Sequence, residues 1–195
     1  MLKVAITGNI GSGKSTVAHF FENLDIPLFS ADKAGHDVLQ NPDVIVALQK
    51  VFGDAIFDET GSLSRKNIAH IVFANDQKLK QLNAVVHPEI KNMIVRWMER
   101  QNETTPYILV EAAVLFEAGF DDHFDKIIVA SAPKELRIER VLKRDDITRE
   151  EVLQRINAQI SEQEKIERSD FVIINDGINP IIPQILNIHF TLHKA

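Results

Sequence analysis

Residues 8 to 15 read Gly-Asn-Ile-Gly-Ser-Gly-Lys-Ser, a full match to Gly-x-x-x-x-Gly-Lys-Ser. An apolar run, Lys3–Thr7, precedes the loop, and a helical pattern follows from near Lys14. This strand–loop–helix unit constrains the chain more than any other feature. Glycine allows the backbone to curl into a nest of N–H groups with no Cβ in the way. The helix behind the nest adds its positive N-terminal end. Such a loop cradles the phosphates of a nucleoside triphosphate: Gly8, Gly11, Ser12, Gly13, Lys14, Ser15 and Thr16 are the candidate binding residues. Lys14 is expected to reach the β- and γ-phosphates, and the Ser15 hydroxyl to coordinate Mg2+.

Four further apolar runs read as strands: Pro27–Ser30, Tyr107–Glu111, Lys126–Ala130 and Phe171–Asn175. Most are continuous rather than alternating, as parallel strands covered on both faces are. Helical patterns separate them, so the expected class is α/β with a five-stranded parallel sheet flanked by helices. The 195 residues suffice for one domain. The long gap between the second and third runs predicts a helical insertion. It contains a helix ended by Gly53, a turn at Asp58–Gly61, a Ser64 N-cap, and one long amphipathic stretch through Pro88. The expected layout is a core of 1–31 and 105–195, an acceptor-binding insertion at 32–104, and a lid at about 140–165. After the fourth run, one helix is expected over "PKELRIERVLKRDD" and another over "DDITREEVLQRINAQISEQEKIERSD", capped by Thr148 and Glu151. A last helix is expected with Asn179 as cap and Pro180 in its first turn.

Composition narrows the function classes. A formal net charge of −6 argues against a protein dominated by nucleic-acid binding. The absence of cysteine excludes disulfides, thiolate zinc sites and cysteine nucleophiles. Seven scattered histidines include no His-Glu-x-x-His pair. No apolar run approaches the roughly 20 residues of a membrane-spanning helix, and no targeting segment is read at the N-terminus. The expected location is cytoplasmic and the expected state a monomer.

The loop alone does not say where a γ-phosphate goes. No Asn-Lys-x-Asp tetrad supports a GTPase, and the third strand ends in Glu111 with no Asp-Glu pair of the motor-ATPase type. A metabolite kinase needs an acid near the acceptor hydroxyl. Asp32, directly after the second strand, is placed to take that proton, to hold a water on Mg2+, or simply to cap a helix. Arg137, Arg140 and Arg144 share one helical face between the fourth and fifth strands. That is where a mobile lid closes in such kinases, although a solvated helix paired with Glu135, Glu139 and Asp145 explains the same pattern.

Together, "TGNIGSGKSTV", "LFSADKAGHDVL", "LNAVVHPEI", "VLFEAGFDDHFDKIIV", "RIERVLKRD" and "RINAQIS" closely resemble the dephospho-coenzyme A kinase family, from Val4 to about Gly177. The resemblance implies a P-loop kinase that transfers the γ-phosphoryl group of ATP to the ribose 3′-hydroxyl of dephospho-coenzyme A. It implies Asp32 as general base, and Lys14 and Arg140 as stabilisers of the moving phosphoryl group. It further implies Arg144 as a lid contact to ATP and Asn175 as a contact near the adenine. Arg65 and His87 would cradle the acceptor, with Leu115 and Glu117 on the facing wall. The chain departs from the family pattern in four places. Ser30 stands where the family has the first acid of Asp-Ala-Asp, Asn9 replaces a usual glycine, Ala113 a proline and Arg137 a glutamine. The rivals are another small-metabolite P-loop kinase, of nucleoside monophosphate or shikimate type, and a nucleotide-dependent binding protein, which has no need of Asp32.

Overall fold

The structure, a computed structural model, describes residues 1–73, 75–102 and 104–194. Five parallel strands form one sheet: β1 (Leu2–Thr7), β2 (Leu28–Ser30), β3 (Tyr107–Glu111), β4 (Lys126–Ser131) and β5 (Phe171–Ile174), in the order β2-β3-β1-β4-β5. All five expected runs are strands, within a residue or so at each end. The central position of β1 explains its composition: Val4, Ala5 and Ile6 are wholly buried because strands flank it and helices cover it. Along the strands, alternate side chains share a face. Val4, Ile6, Tyr107, Leu109, Ile128, Ala130 and Ile173 pack with Val17, Ala18 and Phe21 of α1 (Lys14–Glu22), and with Ile185, Ile188 and Leu192 of α9 (Ile181–His193). At the edge, β5 leaves Val172 and Ile174 exposed, so only its Ile173 face reaches the core.

Two compact units emerge, residues 1–31 with 97–195, and Asp32–Arg96. The second is helical: α2 (Ala31–Val38), α3 (Pro42–Phe52), α4 (Arg65–Phe73) and α5 (Asp76–Glu99), the last ending in the first unit. Asn41 caps α3 by accepting from the Asp43 amide, and Gly53 ends it at positive φ. The turn at Asp58 forms because its carboxylate accepts from the Thr60 and Ser62 amides, which lowers its pKa; the Thr60 hydroxyl contributes most. Ser64 then accepts from the Asn67 amide, as expected of an N-cap. Pro88 lies inside α5 and supplies no N–H to the helix ladder.

In the first unit, α6 (Lys134–Arg144) follows β4. The next stretch differs from expectation: it is two helices, α7 (Arg149–Asn157) and α8 (Glu162–Glu167). Ser161 starts the second by accepting from the Glu164 amide, so a fresh N-cap interrupts what periodicity alone reads as continuous. The Thr148–Glu151 capping box is present. The last helix starts one residue late, because Asn179 is held by the Asp176 carboxylate instead of capping. Among the described residues, no helix is long and apolar enough to cross a membrane.

Tyr107, wholly buried, places its hydroxyl 2.8 Å from Nδ1 of His189 and so joins β3 to α9. Burial raises its pKa, so the phenol stays protonated. Replacing Tyr107 by Phe should cost about 0.5–1.5 kcal/mol, the net value of one such bond. Replacing Phe21 by Ala should cost about 3–5 kcal/mol by opening a cavity under the sheet. Urea midpoints at constant m-value measure both.

Candidate active site

The loop of residues 8–13 leaves β1 at its carboxyl end and enters α1 with Lys14 as the first helical residue. Gly11 and Gly13 have φ of 79° and 84°, a left-handed conformation costly for any side chain. Space is also closed: a Cβ on Gly11 would strike the Arg137 carbonyl, and one on Gly13 the Asn175 amide. That Asn175 amide donates to the Ser12 carbonyl at 2.8 Å, so the residue after β5 supports the loop directly. Arg140 approaches from α6, with Nη1 3.5 Å from the Gly11 carbonyl and Nη2 3.4 Å from Oδ1 of Asn175. These long contacts leave the guanidinium at the loop without locking it. Thr16 and Ser15 are exposed, and Lys14 is buried.

Lys14 Nζ lies 2.7 Å from Oε1 of Glu111, and the Ser15 hydroxyl donates to the same oxygen. Glu111 ends β3, whose register sets it opposite Ile6 of β1. Burial by itself would push the Glu111 pKa up. The Lys14 charge, with hydrogen bonds from Lys14, Ser15 and Ser30, outweighs burial and holds it below the ordinary glutamate value. A buried pair of this kind persists because each charge is compensated by the other and by added hydrogen bonds. β3 ends in no Asp-Glu pair, so Glu111 is not among the site residues expected from the sequence. The available signal was an apolar run, "YILVE", ending in an acid.

The other expected residues divide. Arg137 is buried behind the loop, donating to the Ala132 carbonyl at 2.9 Å and lying 3.8 Å from Glu162. Arg144 chelates Asp145 at 2.8 and 2.9 Å, which raises its pKa, and does not reach the loop. The three arginines therefore have three different environments along α6. Glu117 accepts from the Ile160 amide at 3.1 Å and pairs with the buried Lys165 at 3.0 Å. Leu115 is fully buried. Asn9, the residue in place of glycine, donates to the Ile160 carbonyl at 3.0 Å, and the Ile10 amide donates to Gln159 at 2.8 Å. The loop is thus tied to the segment between α7 and α8. In the helical unit, Asp32 lies exposed in the first turn of α2, and Arg65 sits 3.0 Å from Nε2 of His36. His87 is half-buried in α5, and desolvation lowers its pKa.

The donor set suits a hard divalent cation. Ser15 and Glu111 bring a hydroxyl and carboxylate oxygens together at the loop, and Mg2+ takes a few protein oxygens, with phosphates and waters completing its octahedron. Among the described residues, no three or more His, Cys, Asp or Glu side chains gather into a protein-only metal cage.

A family model for dephospho-CoA kinase (CoaE) matches residues 2–180. The chain belongs to the dephospho-CoA kinase family. It is 40% identical over 194 residues to the dephospho-CoA kinase of Bacteroides fragilis strain YCH46, covering 99% of this chain and 94% of that one. The Bacillus licheniformis dephospho-CoA kinase is 38% identical over 182 residues, covering 90% and 89%. The dephospho-CoA kinase structure from Campylobacter jejuni superposes with a TM-score of 0.71 at 28% identity, covering 98% and 97%. A shikimate kinase structure from Bacteroides thetaiotaomicron, at 13% identity and a TM-score of 0.54, shares the fold. The expected fold class, an α/β P-loop kinase, is therefore correct. The family is one of ATP-dependent kinases that use Mg2+, and its role is the final step of coenzyme A biosynthesis.

Two outcomes follow from this geometry. Gly13→Ala should weaken ATP binding about tenfold or more, because the loop escapes its strain by leaving the Asn175-supported shape; titration with a fluorescent ATP analogue reads it. His87, whose folded pKa is lowered, contributes stability above its unfolded value of 6.5, lost as pH falls through the folded pKa. Stability of His87→Gln should therefore fall less than that of the parent below pH 6.5, measured by urea unfolding across pH.

Proposed function

We propose that this chain transfers the γ-phosphoryl group of ATP to the ribose 3′-hydroxyl of dephospho-coenzyme A. The observation that carries the reading is the strand–loop–helix unit with Lys14 and Ser15, in a chain matched by the family model over 2–180. The loop amides and the positive end of α1 hold the triphosphate. Lys14 moves from Glu111 to the β- and γ-phosphates and offsets charge that grows in the transition state. Ser15 would hold Mg2+, which would supply positive charge against that of the phosphates. Arg140, loosely held at Gly11 and Asn175, swings onto the transferring group.

Asp32 takes the proton of the acceptor hydroxyl. The helical unit, with Arg65 and His87, receives the acceptor, and Glu117 and Leu115 are further acceptor-binding residues. The segment at about 140–165 acts as the lid, and Arg144 exchanges Asp145 for ATP when it closes. Asn175 supports the loop and lies toward the adenine side. The 32–104 insertion and the 1–31/105–195 core act as one monomeric kinase in the cytoplasm, with no nucleic-acid partner.

ADP release should depend on added dephospho-coenzyme A, and the product should be heavier by one phosphoryl group, read by a coupled assay and mass spectrometry. Release without the acceptor would mark an ATPase. Asp32→Asn should keep ATP affinity within about twofold and lower kcat at least about 100-fold, the scale of general-base catalysis. Unchanged transfer would remove the base from Asp32.

A further inference from the structure

Asn9 departs from the family pattern, and the proposed mechanism leaves it without a task. Its side chain is buried, 4% exposed, and Nδ2 donates to the Ile160 carbonyl at 3.0 Å. The other half of the amide, Oδ1, is buried with no hydrogen-bond partner among the described residues. A buried acceptor left unpaired costs stability, and the glycine usual at this place would leave none. Stability therefore explains Asn9 poorly. What the side chain gains is its hold on Ile160.

Ile160 lies in the short junction between α7 and α8, and its peptide is held on both sides. Its N–H donates to Oε1 of Glu117 at 3.1 Å, and that oxygen lies 3.0 Å from Nζ of Lys165. Lys165, wholly buried, also donates to the Ala113 carbonyl at 2.8 Å, so the support behind Ile160 is anchored at the end of β3. The helices flanking the junction differ. Glu162 at the start of α8 accepts from the Ala132 amide at 3.0 Å, and Arg168 at its end pairs with Asp121 at 2.8 Å. By contrast, α7 buries one residue, Val152, which packs with Ile138 and Val141 of α6, and its Arg149–Glu135 pair is exposed. Segments with few buried contacts open first. The boundary between a lightly held helix and a firmly held one falls at the Ile160 peptide.

We propose that Asn9 is a positioning residue for phosphoryl transfer, fastening the phosphate loop to the Ile160 peptide on which the lid turns. This rests on the reading of the chain as a kinase with a lid at about 140–165. The moving part of that segment ends before Ile160, and the part beyond it stays with the sheet. Through Asn9, closure brings the lid over the loop in one register. The side chain acts through the Ile160 peptide and not on the reacting atoms. A second tie, from the Ile10 amide to Gln159 at 2.8 Å, keeps the junction near the loop when Asn9 is cut. Loss of Asn9 therefore loosens the pivot without detaching it.

The test compares the parent with Asn9→Ala, which removes the donor and keeps the loop backbone, since Asn9 is not at positive φ. Melting curves establish that the variant folds. A fluorescent non-hydrolysable ATP analogue should bind it within about twofold of the parent. At saturating substrates, kcat for acceptor-dependent ADP release should fall about 10- to 100-fold, the scale of a misplacement near 1 Å. Amide exchange at Ile160, followed by NMR without ligands, should quicken while that of β1 and β4 stays slow. Asn9→Gly, which removes the same donor, should behave alike. Analogue affinity falling in step with kcat would mean that Asn9 shapes the phosphate cradle, and would overturn the proposal. An unchanged kcat would overturn it too, as would a lower kcat with Ile160 exchange as slow as in the parent. A parent that releases no ADP would sink the kinase reading and the proposal together, whereas an active parent with an equally active variant would sink the proposal alone.

Discussion

A lysine and a glutamate share a dry position at the carboxyl edge of the sheet, and most of the chain serves to keep them there. Lys14 cannot be buried alone, and neither can Glu111; each charge is tolerable because the other lies 2.7 Å away and hydrogen bonds complete the compensation. To bring them together, β1 must turn sharply into α1, and β3 must lie beside β1 with Glu111 level with Ile6. The glycines of the turn, the support of Asn175 beneath it and the apolar filling under α1 are consequences of that requirement. The pair also primes the lysine. A cation held by one carboxylate passes readily to a more negative phosphate, whereas a cation in bulk water must first be ordered.

Much of this was legible in the sequence. Continuous apolar runs gave the strands because parallel strands buried on both faces must be apolar throughout. Local devices such as the Ser64 cap and the Thr148–Glu151 capping box act over three residues and leave a readable trace. Glu111 was visible as a residue but not as a partner of Lys14, since no local pattern states that a strand about a hundred residues later lies beside the first. The division of α7 from α8 was missed for a different reason. Helical periodicity runs across Ala158–Ser161, and only the hydrogen bond from the Glu164 amide to Ser161 marks the new start.

The arginines show the limit of spacing as evidence. Arg137, Arg140 and Arg144 lie close together on one helix, but the groups around them sort them by task. The Ala132 carbonyl captures the Arg137 side chain, Asp145 captures that of Arg144, and the Arg140 side chain reaches the glycine loop on weak contacts. Periodicity records which way a side chain leaves the helix, not which acceptor reaches it first. The same distinction separates Glu117 from Leu115: one is held by Lys165 and the Ile160 amide, the other is enclosed by the core.

The order β2-β3-β1-β4-β5 has a cost in time as well as a use in space. The central strand leaves a ribosome before either strand it pairs with, since its neighbours β3 and β4 begin about a hundred residues or more downstream. At about 5–20 residues per second, β1 waits roughly 5–20 s for a pairing edge. Through that interval Val4, Ala5 and Ile6 are a bare apolar ribbon with α1 as their only nearby cover. Early docking of Phe21 onto that ribbon is then a shelter for the nascent chain before it is a part of the finished core.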